Sequence, residues 1–150
     1  MKFIIALFCL VFATTAVNAQ LNIDLCDTVK LGKYNEIPVV VGPSQIRKGY
    51  SVEIEHVIFQ ITVNDRKRVH FVSTRDSGFV IGTLAVGTAY EDIPKVGIES
   101  EQFVDKWGYE VSLKNGWVAV FDDNLIFKSQ VVRRDSRIHW FYKHGECANY

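Results

Sequence analysis

The fold of this chain is decided by residues 109–121, which read YEVSLKNGWVAVF. Apolar and polar side chains alternate on both sides of Asn115-Gly116, and such alternation is typical of strands with one buried face. Asn-Gly between two alternating runs is the strongest short signal for a β-hairpin, because a type I′ turn needs positive φ at both central residues. The stretch therefore predicts two antiparallel strands joined by a tight turn.

The predicted turn also assigns side chains to faces. A two-residue turn at Asn115-Gly116 pairs Lys114 with Trp117. Because side chains alternate along each strand, Trp117 is expected on the face opposite the apolar side of the hairpin. That apolar side is predicted to contain four residues: Val111, Leu113, Val118 and Val120.

Two-residue alternation dominates the remaining chain as well. The phase of the alternation changes near Glu55-His56, which requires a bulge or a turn there, and Asp122-Asp123-Asn124 predicts a further turn. No segment shows convincing helical periodicity, so we predict an all-β fold, an antiparallel β-sandwich of jelly-roll type with almost no helix. The remaining strands are expected within residues 52–54, 57–63, 69–72, 79–83, 125–132 and 138–143.

The first 19 residues resemble a secretory signal peptide. Lys2 supplies the positive start, residues 3–11 are apolar, and Val17-Asn18-Ala19 ends on a small-x-small pattern. Such a segment is too short and wrongly flanked for a membrane span. We therefore expect residues 1–19 to be removed, leaving residues 20–150 as one secreted, extracellular domain without a membrane span.

The cysteines also support a secreted location. Cys9 leaves with the signal peptide, so Cys26 and Cys147 remain, one near each end of the mature chain. In an oxidising compartment the simplest interpretation is a disulfide that ties the two ends together. The alternatives are two free thiols or a catalytic cysteine.

The net charge and the sequence motifs restrict the classes of function that the chain can have. The chain carries 17 basic and 17 acidic residues, and removal of Lys2 leaves 16 against 17, a net charge near −1. This balance argues against a nucleic-acid partner, which requires a basic excess. The four histidines are dispersed, and the sequence contains no metal, phosphate-loop, dinucleotide or nucleophile-elbow motif. We therefore expect a protein that is not an enzyme and that needs no cofactor or metal.

Two basic groups interrupt the alternating pattern. Arg66-Lys67-Arg68 is interpreted as a solvated turn between two strands, and the alternative is a dibasic processing site. The second group contains Arg133, Arg134 and Arg137. It is either a solvated face or a surface that meets an anionic partner such as a sulfated glycan.

Residues 46–146, taken in order, resemble a galectin-type carbohydrate-recognition domain, a concanavalin-like jelly roll. The segments that carry the resemblance are IRKGYSVEI (46–54), FQITV (59–63), RVHF (68–71), the hairpin at 109–121 and LIF (125–127). They are similar to the opening strand, the F-x-I-N-L strand, the H-F-N-P-R strand and the late F-E-x-x-I, F-x-V-x-V-N-G and L-x-x-F pattern of that family. The resemblance implies a non-catalytic lectin.

The same resemblance implies where a sugar binds. His70 and Phe71 match the H-F of the family motif, and Arg75 stands one position beyond the family's arginine. Tyr90 replaces the tryptophan that stacks on the sugar ring, and Glu91 replaces the acid. The implied ligand is a glycan such as a galactoside, held in a groove on the sheet face opposite Val69 and Phe71. The implied carbohydrate-binding residues are His70, Arg75, Tyr90 and Glu91.

Three alternatives stay open at this point. His70 is equally interpreted as an outward strand residue beside Arg68 and Thr62. The same fold without its sugar site would be a protein-interaction module. Residues 31–37, LGKYNEI, are similar to the lipocalin opening G-x-W-Y-E-I and indicate a calycin-like carrier of a small apolar ligand. A continuous apolar cavity favours the carrier, and a filled core with a polar groove beside His70 favours the lectin.

Overall fold

The computed structural model describes residues 24–147, and the predicted signal peptide lies outside the described residues. Most of its regular secondary structure is β-strand. Three single-turn 3₁₀ helices lie at Leu31–Lys33, Tyr90–Asp92 and Lys95–Gly97. The longer elements are β1 (Asn35–Gly42), β2 (Gln45–Ile54), β3 (Val57–Val63), β4 (Val69–Thr74), β5 (Val80–Ile81), β6 (Leu84–Ala85), β7 (Ile98–Val104), β8 (Gly108–Leu113), β9 (Val118–Phe121), α1 (Asn124–Ser129) and β10 (Trp140–His144).

Eight of the strands form one antiparallel sheet in the order β1-β2-β3-β4-β10-β9-β8-β7, and β5 and β6 pair separately. The sheet thus consists of two four-stranded meanders, β1 to β4 and β7 to β10. They join where β4 pairs with β10 in the register Phe141↔Thr74. The antiparallel all-β class expected from the sequence is confirmed. The strand order does not confirm the jelly-roll connectivity in particular.

One face of the sheet carries the large cluster of buried apolar residues. The predicted alternation of residues 57–63 is confirmed here, because Val57, Phe59 and Ile61 lie in this cluster and Val63 packs against it. A layer of connecting segments covers the face, so the core is filled from both sides. These segments contribute Phe79, Leu84, Ile93, Ile126 and Ile138.

The opposite face carries a second, aromatic cluster. Its members are Val39, Phe71, Trp107, Val118, Val120, Trp140 and Tyr142. Val39 of β1 and Phe71 of β4 belong to strands that would lie about 14 Å apart in a flat sheet. The sheet must therefore curl around this cluster, and Gly49 of β2 allows it. A Cβ atom at Gly49 would stand 2.4 Å from the carbonyl oxygen of Ile61 and 2.5 Å from Cγ2 of Val39.

The hairpin at Asn115-Gly116 exists, but the predicted register is wrong. Ser112 pairs with Val118, and the amide of Leu113 donates to the carbonyl of Trp117 at 2.8 Å. The loop therefore contains three residues, with positive φ only at Gly116 (82°). A three-residue loop that ends in a left-handed glycine shifts the pairing by one position and moves one strand's side chains to the other face. Val111 and Leu113 accordingly lie in the large cluster, whereas Val118 and Val120 lie in the aromatic cluster.

The expectation of a strand within residues 125–132 is also wrong. Residues Asn124–Ser129 form α1, which begins after Asp123. Oδ1 of Asp123 accepts hydrogen bonds from the amides of Leu125 (2.8 Å) and Ile126 (2.9 Å), as an N-cap side chain does. The cap and the burial of Ile126 in the large cluster favour a helical turn over an extended run.

The predicted disulfide between Cys26 and Cys147 is present. It joins positions 121 residues apart in sequence whose Cα atoms lie 5.3 Å apart. The amide of Cys26 donates to the carbonyl of Val69 at 2.7 Å, so the disulfide holds both chain ends against the start of β4. Within residues 24–147, no helix is long and apolar enough to cross a membrane.

Candidate functional site

A cavity of about 440 Å³ opens at the end of β4 that is remote from the disulfide. Its volume falls within the range of about 300–1,000 Å³ that is usual for small-molecule sites. Both apolar and polar side chains line it. The lining consists of Pro38, Val40, Ile58, Gln60, Ser73, Thr74, Arg75, Lys106, Trp107, Asp122, Phe127 and Trp140.

Arg75 is held over this cavity by two interactions. Its Nη2 atom donates to Oδ2 of Asp122 at 3.1 Å, and its guanidinium carbon lies 5.2 Å from the ring centroid of Trp140. The strand register explains the second contact, because the pairing of Thr74 with Phe141 places the next residue of one strand beside the preceding residue of the other. A side chain fixed in this way presents its remaining N–H groups in a defined orientation.

Asp122 organises the site from the end of β9. Its Oδ2 atom accepts the hydrogen bond from Arg75 and another from Nε1 of Trp140, at 3.1 Å, and its Oδ1 atom bonds Nδ1 of His139. The side chain is only 19% exposed. Both carboxylate oxygens are thus occupied by neighbours, and the residue acts as a support for Arg75 and Trp140.

The aromatic cluster forms a stiff floor beneath the cavity. The ring centroids of Trp107 and Trp140 lie 4.8 Å apart, and those of Trp140 and Tyr142 lie 5.3 Å apart. The Tyr142 hydroxyl donates to Oε1 of buried Glu110 at 2.5 Å, and Oε2 of Glu110 accepts from Nε2 of Gln102 at 2.9 Å. Burial, followed by the bond to Glu110, raises the pKa of Tyr142 well above its usual value. Tyr142 is therefore uncharged, and hydrogen bonds hold it in place beneath the cavity.

His70 lies at the other end of β4. Its Nε2 atom is 3.3 Å from Nη1 of Arg47 and 3.2 Å from Oγ1 of Thr62. Partial burial, and then the charge of Arg47, lower the pKa of His70 below its ordinary value. Arg75 follows His70 by five positions in extended chain, a span of about 16 Å. The two side chains therefore belong to different environments.

The groove expected opposite both Val69 and Phe71 does not form. Val69 lies in the large cluster and Phe71 in the aromatic cluster, so the two side chains occupy opposite faces. The cause is a shift in the β3–β4 register between Thr62 and Val63, because a bulge breaks the two-residue alternation.

Tyr90 and Glu91 lie in the segment that covers the large cluster. The Tyr90 hydroxyl donates to Oε1 of Glu101 at 2.6 Å, and Nζ of Lys95 lies 4.1 Å from the centroid of the Tyr90 ring. Glu91 is exposed beside it. The cavity at Arg75 is lined by neither residue. Of the four residues implied by the family resemblance, the structure therefore brings together only Tyr90 and Glu91, which are neighbours in sequence.

The lowered pKa of His70 predicts a specific pH dependence of stability. Histidine in an unfolded chain has a pKa of about 6.5, and the folded value lies below it. The neutral form is favoured by folding, so this contribution is present above about pH 6.5 and is lost as the pH falls through the folded pKa. We expect His70→Gln to reduce the fall in unfolding free energy between pH 7.5 and 5, measured by urea unfolding.

His56→Gln is the matched control for this prediction. The His56 side chain is 99% exposed, and its substitution shows how much of any change comes from the removal of a histidine as such. A wild-type pH dependence retained in full by His70→Gln would contradict the prediction.

Comparison with protein-family models, with curated proteins and with solved structures found no match for this chain. The galectin-like resemblance therefore stays a prediction.

Proposed function

We propose that this protein is a secreted, non-catalytic carbohydrate-binding protein, and that the glycan binds in the cavity beside Arg75. The observation that carries the proposal is the fixed Arg75 guanidinium at the wall of a cavity of about 440 Å³ with both polar and apolar sides. The disulfide between Cys26 and Cys147 supports an oxidising, extracellular setting, as does the signal-like composition of residues 1–19.

The lining suits the chemistry of a sugar. A pyranose offers hydroxyl groups, which need fixed hydrogen-bond partners, and one apolar face, which packs on an apolar or aromatic side chain. Arg75 and Lys106 can donate to hydroxyls, and the amide of Gln60 can donate and accept. Ile58 and Phe127 are 53% and 38% exposed and supply apolar surface at the same cavity.

The polar contacts of Asp122 favour recognition over catalysis. An acid–base catalyst must have a carboxylate or imidazole atom within reach of the substrate proton. Both oxygens of Asp122 already accept hydrogen bonds from Arg75, Trp140 and His139. This arrangement uses Asp122 to hold the binding groups in place, and His139, the imidazole that Asp122 bonds, is not among the residues that line the cavity.

Arg75→Ala tests the proposal. Loss of a charged donor from a desolvated hydroxyl costs about 1–3 kcal/mol, which corresponds to roughly 5- to 150-fold weaker binding. We expect this loss in isothermal titration against a panel of neutral glycans that begins with β-galactosides. The unfolding free energy should change by less than about 1 kcal/mol, because the Arg75 side chain is 64% exposed and such surface ion pairs contribute little.

His70→Ala is the matched control. It removes a donor from the other end of β4, so it should leave the affinity unchanged if the ligand binds beside Arg75. Loss of binding in His70→Ala with full binding in Arg75→Ala would place the sugar elsewhere and refute the site. No binding of the wild-type protein to any glycan would refute the function and favour the protein-interaction module.

A small apolar ligand is the second candidate. Val40, Ile58 and Phe127 are exposed apolar side chains at the cavity, which is the observation that favours it. A fluorescent fatty acid distinguishes the two candidates. Saturable binding of the fatty acid that neutral glycans fail to displace would support the carrier over the lectin.

A further inference from the structure

The turn between β3 and β4 is fixed by its own hydrogen bonds. Oδ1 of Asn64 accepts from the amides of Arg66 and Arg68, both at 3.0 Å. The Asn64 amide donates to the carbonyl of Arg68, and the Lys67 amide donates to the carbonyl of Asn64, both at 2.9 Å. Lys67 adopts a left-handed conformation with φ of 60°. Three consecutive basic residues therefore project from a rigid loop rather than from a flexible one.

The N-terminal segment adds a fourth basic residue beside this turn. The amide of Val29 donates to the carbonyl of Lys67 at 3.2 Å, and Thr28 forms a β-bridge with Arg68. Lys30 follows directly and is exposed. The disulfide at Cys26 holds this segment in place from the other side. We name the resulting patch the basic turn surface; it consists of Lys30, Arg66, Lys67 and Arg68.

The charges of the basic turn surface are poorly compensated. Within residues 24–147, none of its four basic side chains forms a salt bridge. Three acids lie nearby in sequence. Asp24 pairs with Lys143 at 2.8 Å, so its charge is compensated outside the patch. The other two are Asp65, which is exposed within the turn, and Asp27, which accepts a hydrogen bond from the amide of Asp24 at 2.8 Å. Four positive charges against two negative charges leave a local excess in a chain that is neutral overall.

Two side chains of the other basic group of the sequence have hydrogen-bond partners. Nη2 of Arg133 donates to Oδ2 of Asp135 at 3.0 Å, and Nη1 of Arg137 donates to the carbonyl of Gly87 at 2.7 Å. The two basic groups therefore differ in their side-chain contacts: Arg133 and Arg137 are held by polar partners, whereas, in the described part of the chain, no side chain of the basic turn surface forms a salt bridge.

We infer that the basic turn surface binds a sulfated polysaccharide. Closely spaced sulfates match a cluster of guanidinium and ammonium groups that extend from a hydrogen-bonded backbone, and displacement of the counterions around a polyanion favours binding at moderate salt. An anionic membrane fits less well. Among the described residues, the exposed large hydrophobic side chains that would enter a bilayer lie outside both residues 24–30 and 64–68. This surface and the Arg75 cavity lie at opposite ends of β4, so the two sites are independent.

Heparin affinity measures this binding directly. The probes are immobilised heparin and, in parallel, vesicles containing phosphatidylserine. We expect the wild-type protein to bind heparin at about 0.15 M salt, with an affinity that falls steeply as salt rises. The variant Arg66→Gln/Lys67→Asn should bind at least tenfold more weakly and with a shallower salt dependence. Asparagine is chosen at position 67 because it tolerates the left-handed conformation.

The matched control is Arg133→Gln/Arg134→Gln, which removes the same charge from the other basic group and should weaken binding less than twofold. Thermal melts of all three proteins establish that each is folded. An equal loss in both variants would reveal a general effect of net charge and overturn the inference. So would the absence of heparin binding by the wild type, or stronger binding to the vesicles than to heparin. None of these outcomes depends on binding of a neutral glycan beside Arg75.

Discussion

Replacing both Cys26 and Cys147 with serine is expected to lower the free energy of unfolding by about 2–5 kcal/mol. The disulfide closes a loop of 121 residues, and in the chain-entropy model a loop of this length contributes at most about 5 kcal/mol. The double variant also leaves residues 26–29 held beside the β3–β4 turn by backbone hydrogen bonds alone. Urea unfolding of the wild type and of Cys26→Ser/Cys147→Ser, under identical conditions, measures the difference.

Reduction of the wild-type protein provides the control. A reducing agent should bring the wild type to the stability of the double variant and should not affect the variant itself. Equal stability of the wild type and the double variant in the absence of reductant would contradict the expectation.

Phe141→Ala is expected to cost about 3–5 kcal/mol, the usual range for removal of a fully buried phenylalanine. Phe141 is completely buried on β10, the strand through which the second meander pairs with β4 of the first. The centroids of the Phe141 and Phe79 rings lie 5.6 Å apart. Removal of the Phe141 ring would therefore leave an empty space between the sheet and the segments that cover it.

Phe127→Ala is the matched control for this core substitution. The Phe127 side chain is 38% exposed, and a smaller loss of stability is expected because less apolar surface leaves the folded core. Equal losses in the two variants would contradict the assignment of Phe141 to the centre of the fold.

The core strands could be predicted from the sequence because their side chains alternate between a buried face and a less buried one. Residues 57–63 are the plainest case, since Val57, Phe59 and Ile61 are all buried on one face. The edge strand β7 shows no such pattern, because four of its seven residues are exposed. The sequence argument therefore missed it.

Local chemistry explains the errors at the Asn115-Gly116 hairpin and at residues 125–132. Asn-Gly is compatible with loops of two and three residues, and the choice of three reversed the face of one strand. The residues Leu125-Ile126-Phe127 are too few to separate a strand from a helical turn by periodicity. The deciding signal was the N-cap at Asp123, which precedes the helix directly.

The candidate site could be predicted only in part. Arg75 was identified through the family resemblance, and it is the one residue of that set at the cavity. Its partners Asp122 and Trp140 lie far away in sequence, and they meet Arg75 only because β4 pairs with β10. No local pattern encodes that pairing. The presence of the large aromatic residues Trp107 and Trp140 is the only sequence feature that indicates the floor of the site.

The indole N–H groups offer the most direct measurement of the central claim, which is that a glycan binds beside Arg75. Trp107 and Trp140 line the cavity, whereas Trp117 lies in the large cluster on the opposite face. We expect titration of ¹⁵N-labelled protein with a glycan that it binds to shift the indole resonances of Trp107 and Trp140 and to leave that of Trp117 unchanged. A shift confined to Trp117, or saturable glycan binding without any shift at Trp107 and Trp140, would contradict the account.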